Sequence, residues 1–190
     1  MTYAKVVRIL KRLLEKKDLL TLEHSKQVSK LSVQLANELI KENIDIKCTI
    51  EEVEMAGLLH DVGKLLMDDC VLKGSHKISP KDSVEIKEHI SDGYKILSHF
   101  NFNVNIREAV AMHHERDDGS GYPEGLKEDE ISILGKILAV TDSYSAITQK
   151  RTYKEGKSKD ESLRILKKEK YLYDPFILKF FIRMMTNSPL

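Results

Sequence analysis

Apolar residues recur at helical spacing along almost the whole chain: Val6, Leu10, Leu13 and Leu14, then Val28, Leu31, Leu35 and Leu39, then Val53, Ala56 and Leu59. Steps of three and four put each set on one face of a helix, so the pattern predicts an all-α domain. Cap chemistry locates the helix ends. Thr49 precedes a first turn rich in glutamate (Glu51, Glu52, Glu54), and Asp82 or Ser83 is expected to cap the helix after Pro80. Further helices are expected over Ile106–His114, Gly135–Gln149 and Lys159–Lys168, with Asp174 and Pro175 as N-cap and first residue of a last apolar helix. The polar, glycine-bearing run Arg116–Gly125 reads as a loop by its turn chemistry. No repeat, low-complexity stretch or interdomain linker breaks this pattern.

A length of 190 residues suits one domain with a single core. Hydrophobic residues at 41% and charged ones at 32% exclude disordered, collagen-like and membrane-spanning classes. The apolar stretch Ile131–Val140 is interrupted by Lys136, and no signal peptide is visible, so no membrane role is expected. Lys plus Arg total 31 against 30 Asp plus Glu, which argues against a polyanion coat and hence against DNA as partner. Any anion site must be local. Cys48 and Cys70 are too few for a disulfide scaffold and are expected to be reduced and buried.

Of seven histidines, four sit at or near predicted helix ends together with carboxylates: His60 beside Asp61, His89, and the pair His113-His114. His24 lies early in its own helix. His76 and His99 are expected to be ordinary surface or core residues. Neutral imidazoles with carboxylates form a donor set that divalent iron, manganese or zinc accepts. Five histidines and two aspartates suffice for two ions, and a carboxylate next to a histidine can bridge them. Two ions roughly 3.5–4 Å apart clamp a hydroxide and a phosphoryl oxygen for in-line attack. Hydrolysis of a phosphoester is the chemistry such a set suggests.

His60-Asp61-Val62-Gly63-Lys64 resembles the H-D-x-G-K signature of the HD phosphohydrolase superfamily. The run from His113-His114-Glu115 through Asp118-Gly119-Ser120-Gly121-Tyr122-Pro123 resembles the H-H-E-x-x-D-G-x-G-Y-P motif of HD-GYP domains. The likeness extends to Glu23-His24-Ser25, His89 with Gly93, Ala139-Val140-Thr141-Asp142, Arg151-Thr152-Tyr153-Lys154 and Asp174-Pro175. It implies a single-domain helical bundle of the HD superfamily type, with residues 1–20 as an N-terminal linker or dimer helix and 21–190 as the HD-GYP catalytic domain. It further implies a cytoplasmic phosphodiesterase that opens cyclic di-GMP to the linear dinucleotide or GMP by a metal-bridging hydroxide. By position, His24, His60, Asp61 and Asp142 would hold one ion, and Asp61, His89, His113 and His114 the other, the two ions being iron or manganese. Lys64, one turn after the His-Asp pair, would meet substrate charge, and Arg151 and Lys154 would contact the dinucleotide. Tyr122 either lines the substrate pocket or packs. The Gly119–Pro123 loop is implied as a docking surface for GGDEF-type or other signalling domains.

The chain departs from the family pattern at several positions. Leu20 stands where three-metal members have a glutamate, with Glu23 as an imperfect substitute, which is why two ions are expected. Ile90 follows His89 where proline is usual. Ser145 replaces the second aspartate of D-x-Y-D-A-L and Thr152 the proline of R-P-Y, changes expected on the substrate-side wall. They keep alive hydrolysis of another cyclic dinucleotide or nucleotide, and a non-catalytic cyclic di-GMP binding module. Val6, Leu10, Leu13 and Leu14 suit either packing on the domain or a homodimer.

Overall fold

The computed structural model describes residues 3–74, 79–150 and 155–187. Among them the helices run in the order α1 (Tyr3–Lys17), α2 (Leu19–Lys41), α3 (Ile50–Leu59), α4 (Asp69–Leu72), α5 (Pro80–His99), α6 (Val104–Met112), α7 (Ile133–Thr148), α8 (Lys159–Lys168) and α9 (Pro175–Asn187). A 3-10 turn over Val62–Leu66 joins α3 to α4. No strand is present among the described residues, as the periodicity predicts. None of these helices is long and apolar enough to cross a membrane.

α2 is the axis of the bundle, packing on α3, α7, α1 and α9. Asp18 caps it, accepting from the Thr21 N–H at 2.9 Å. Small residues on α2 bring neighbouring backbones close: Ser29 Oγ donates to Glu54 O of α3 at 2.8 Å, and Ser32 Oγ lies 2.8 Å from Thr141 Oγ1 of α7. Around this seam Val28, Leu35, Leu39, Val53, Leu59, Ile137, Leu138 and Phe181 are fully or almost fully buried. Each such side chain contributes on the order of 2 kcal/mol, and a core of that size offsets the cost of burying the polar cluster described below. Val6 and Leu10 of α1 join the same core and Leu14 is buried as well, whereas Leu13 is half exposed.

Thr49 and Glu52 form the expected capping box. The α5 cap is Ser79, not Asp82 or Ser83: Pro80 takes the first helical position, where its missing N–H costs nothing, so the cap must precede it. Asp82 instead closes the box, accepting from the Ser79 N–H at 2.7 Å. α6 and α7 begin two residues earlier than predicted, because Asn103 and Ser132 supply caps that the apolar period alone does not reveal. Asp174 accepts from the N–H groups of Phe176 and Ile177, both at 2.9 Å, as expected of an N-cap. The burial expected for both cysteines is wrong: Cys48 is half-buried and Cys70 exposed, since four-residue α4 lies on the surface and buries none of its side chains.

Candidate metal centre

Five helices deliver side chains to one point. His24 comes from α2, His60 caps the C-terminus of α3 with Asp61 next in chain, His113 caps α6 with His114 next, and Asp142 comes from α7. His89 comes from the middle of α5, not from a helix end as expected. α5 can lie there because Gly63 has no side chain: a Cβ at that position would stand 1.9 Å from His89 O. The same contact sets Asp61, two residues earlier, beside the His89 ring.

Asp61 faces two ways. Its Oδ1 lies 3.4 Å from His89 Nε2, while its Oδ2 lies 3.3 Å from His60 Nε2 and 4.0 Å from His24 Nε2. Asp142 Oδ1 is 2.8 Å from His24 Nε2 and 3.7 Å from His60 Nε2, and its Oδ2 is 3.9 Å from His114 Nδ1. Three overlapping groups have donor atoms within 4.8 Å of one another: His24, His60 and Asp142; His60, Asp61 and His113; His89, His113 and His114. Lys64 Nζ donates to Asp61 Oδ2 at 2.6 Å from the adjoining 3-10 turn.

The far nitrogens of three imidazoles are tied to backbone. Nδ1 of His60, His113 and His89 donates to Gly57 O (2.8 Å), Val110 O (2.7 Å) and Ile86 O respectively, each three residues back. A proton held on Nδ1 leaves the Nε2 lone pair aimed inward, which is how ligating histidines are oriented. Among the described residues those three Nε2 atoms are buried with no hydrogen-bond partner. An unsatisfied buried polar group costs about 1–3 kcal/mol, and three such nitrogens around two carboxylates are a donor set that fits a cation.

Charge follows the same division. Burial raises the Asp61 carboxyl, but Lys64, His60 and His89 outweigh it and hold the group well below the usual carboxylate range. Asp142 is held low in the same way by His24, His60 and His114 against its burial. Burial among neighbouring imidazoles pushes His113 well down, lowers His89, and takes His114 to about 3. These three stay neutral, the form that coordinates. His60 is the exception: against burial, Asp61 and Asp142 raise it to about 10, so its Nε2 takes up a proton on the side where a cation would compete for it. The donor set therefore combines two ionised carboxylates with imidazoles, and it fits divalent transition metals.

A loop without helix forms the rim. Glu115, 1% exposed, accepts from the N–H groups of Glu124 (2.8 Å) and Leu126 (3.0 Å), while Tyr122 N donates to His114 O at 3.2 Å. Gly119 has φ +81°, and a Cβ on Gly121 would stand 2.4 Å from Arg116 N, so one glycine serves conformation and the other close approach. The Tyr122 ring stacks on His114 at 4.8 Å, with Lys87 Nζ 5.1 Å from its centroid. Burial raises the Tyr122 phenol, which stays protonated.

Two expectations are corrected here. Glu23 is exposed and paired with Lys26 at 2.7 Å, because it points away from the face of α2 that carries His24. Ser145 does not belong to a substrate-side wall: it is fully buried, with Oγ 2.9 Å from His24 Nδ1 on the metal side. His99 is exposed and outside the cluster. Arg151, Thr152, Lys154 and His76 lie outside the described residues. Lys87, Glu115 and the close approach at Gly63 were not anticipated, since each depends on a neighbour distant in sequence. A separate cavity of 560 Å³, lined by residues such as Cys48, Glu108 and Lys136, shares no residue with the cluster.

A sequence model described as HD domain matches residues 8–177. The chain is 36% identical over 182 residues to a protein of Thermotoga maritima named cyclic di-GMP phosphodiesterase, covering 94% of this chain and 48% of that one. It is 32% identical over 165 residues to 3′3′-cGAMP-specific phosphodiesterase 1 of Vibrio cholerae, covering 86% and 37%. The chain thus spans half or less of the length of these relatives. The solved HD domain of the phosphodiesterase PgpH from L. monocytogenes shares the fold at a TM-score of 0.65 and 18% identity, covering 93% of this chain and 94% of that one. Residues that meet around Asp61 include His60 of the H-D-x-G-K motif and His113 and His114 of the H-H-E-x-x-D-G-x-G-Y-P motif, and the chain belongs to the HD domain family, in its HD-GYP branch.

Proposed function

We propose that this chain is the hydrolytic domain of a cyclic dinucleotide phosphodiesterase, with cyclic di-GMP as its substrate and the linear dinucleotide or GMP as product. One observation carries the reading: three buried Nε2 atoms, without a hydrogen-bond partner among the described residues, converge on two ionised carboxylates. His24, His60, Asp61 and Asp142 hold one divalent cation, and Asp61, His89, His113 and His114 the other, with iron or manganese suiting the ligands. Bound there, the pair supplies a nucleophilic water at neutral pH and polarises the phosphodiester. Asp61 serves both positions because its two oxygens face different imidazoles. Lys64, 2.6 Å from Asp61 and partly exposed, keeps its other N–H donors for a phosphate oxygen. Tyr122 offers a ring face beside His114 for a base, and Arg151 and Lys154 are assigned to the dinucleotide's other contacts. The catalytic domain is taken as residues 21–190, with the helix Tyr3–Lys17 of the 1–20 segment packed on it. A GGDEF-type signalling domain docking on the Gly119–Pro123 loop, and a place in the cytoplasm, complete the reading.

The test is turnover of cyclic di-GMP by metal-loaded protein, wild type against Asp61→Ala. Hydrolysis by the wild type and none by the variant is expected; a metal-loaded wild type that binds the nucleotide without turnover identifies a binding module instead. A second reading, 3′3′-cGAMP as substrate, is favoured by the Vibrio cholerae relative. Running both dinucleotides in the same assay separates the two.

A further inference from the structure

Nδ1 of His24 meets a side-chain hydroxyl, where its counterparts at 60, 89 and 113 meet a backbone carbonyl. The difference is chemical. A carbonyl only accepts, so it fixes the proton on Nδ1. A serine hydroxyl both donates and accepts, so Ser145 alone leaves the tautomer of His24 undecided.

The neighbours of Ser145 decide it. Ser145 Oγ donates to Gln27 Oε1 at 3.1 Å, which leaves the oxygen to accept from His24 Nδ1–H. Gln27 in turn is oriented by Thr148: its Nε2 points to Thr148 Oγ1 at 3.4 Å, and that hydroxyl donates to Tyr144 O at 3.0 Å, so it accepts from the amide. The chain of donors thus ends on a carbonyl of α7, and each link has one direction. We infer that Ser145 and Gln27 form a positioning relay that keeps a proton on His24 Nδ1 and turns Nε2, 2.8 Å from Asp142 Oδ1, toward the place where a cation would take up both atoms, and so set the metal affinity of the His24–His60–Asp142 position. This rests on the metal-centre reading above and adds to it that the two metal positions differ in one ligand's support: His60, His89 and His113 are held by fixed carbonyls, His24 by exchangeable side chains.

The test is titration of metal-stripped protein with Mn²⁺, following the free ion by its paramagnetic resonance signal. Four proteins are compared: wild type, Ser145→Ala, Gln27→Met and Ser32→Ala. Ser32→Ala is the structural control, because it removes a buried hydroxyl from the same α2–α7 seam, bonded to Thr141 and not to a histidine. Gln27 is only half-buried and touches no proposed ligand, so Gln27→Met disturbs the direction of the relay with little risk to folding. Ser145→Ala is expected to weaken one ion by about 10–100-fold and leave the other as in wild type. Gln27→Met acts in the same direction but less, and Ser32→Ala leaves both unchanged. A Ser145→Ala isotherm that superimposes on wild type overturns the relay, whether one ion or two are bound, and so does an equal loss in Ser32→Ala. A wild type that takes up no Mn²⁺ overturns the metal-centre reading itself, a distinguishable failure.

Discussion

Around Asp61 the side chains arrive from five helices and are held by burial, with His60 and His113 at 0% exposure; across the rim, the 115–126 loop carries no helix and is held by individual hydrogen bonds, two of them to Glu115. The floor is a product of packing, so disturbing it moves stability and metal binding together. The rim is local, and disturbing it changes how substrate is met while leaving the fold. Substitutions in the two regions therefore differ in kind as well as size.

Asp61→Ala, in the floor, removes the carboxylate that faces both histidine groups and is expected to abolish turnover and metal uptake together. Gly63→Ala forces a methyl against His89 O and is expected to cost about 3 kcal/mol in urea unfolding, with metal content falling alongside. Lys64→Met leaves the imidazoles in place, so metal uptake should persist while kcat falls by about 10²–10³. A Lys64→Met protein that loses its metal instead would make Lys64 part of the floor. At the rim, Glu115→Ala deletes the acceptor of two loop N–H groups and is expected to cost about 2–3 kcal/mol, read as a rise in KM with metal uptake retained. Tyr122→Ala removes the ring face assigned to a base, worth about 1 kcal/mol or roughly fivefold in KM, whereas Tyr122→Phe keeps the ring and its contact with His114 and should match wild type.

The comparison also explains what the sequence discloses. All-α character, the Thr49 and Asp174 caps and the extent of α8 are legible because they depend on residues within one turn of each other. The side chains that meet around Asp61 are legible as a group because their chemistry is unusual for helix surfaces and their motifs are long. What is missed depends on distance along the chain. Ser145 reads as part of a substrate wall until α7 is seen lying on α2, 121 residues away, with its hydroxyl on His24. Gly63 stands in the sequence only as a position of H-D-x-G-K, and its close approach to His89 O depends on α5 crossing it. Glu23, adjacent to His24, appears available to the site until the helix turns it outward to Lys26. Ser79 is passed over because Pro80 draws the eye downstream, although proline at the first helical position points one residue back.

The central claim is that the buried imidazoles and carboxylates form a place for two cations, and its most direct measurement is Mn²⁺ uptake with thermal unfolding of the same samples. The account predicts saturation at about two ions per chain, with each ion at a hundredfold excess over its Kd stabilising the fold by about 2.7 kcal/mol. Stripped protein that takes up no Mn²⁺ and unfolds at the same temperature with and without it would contradict the account.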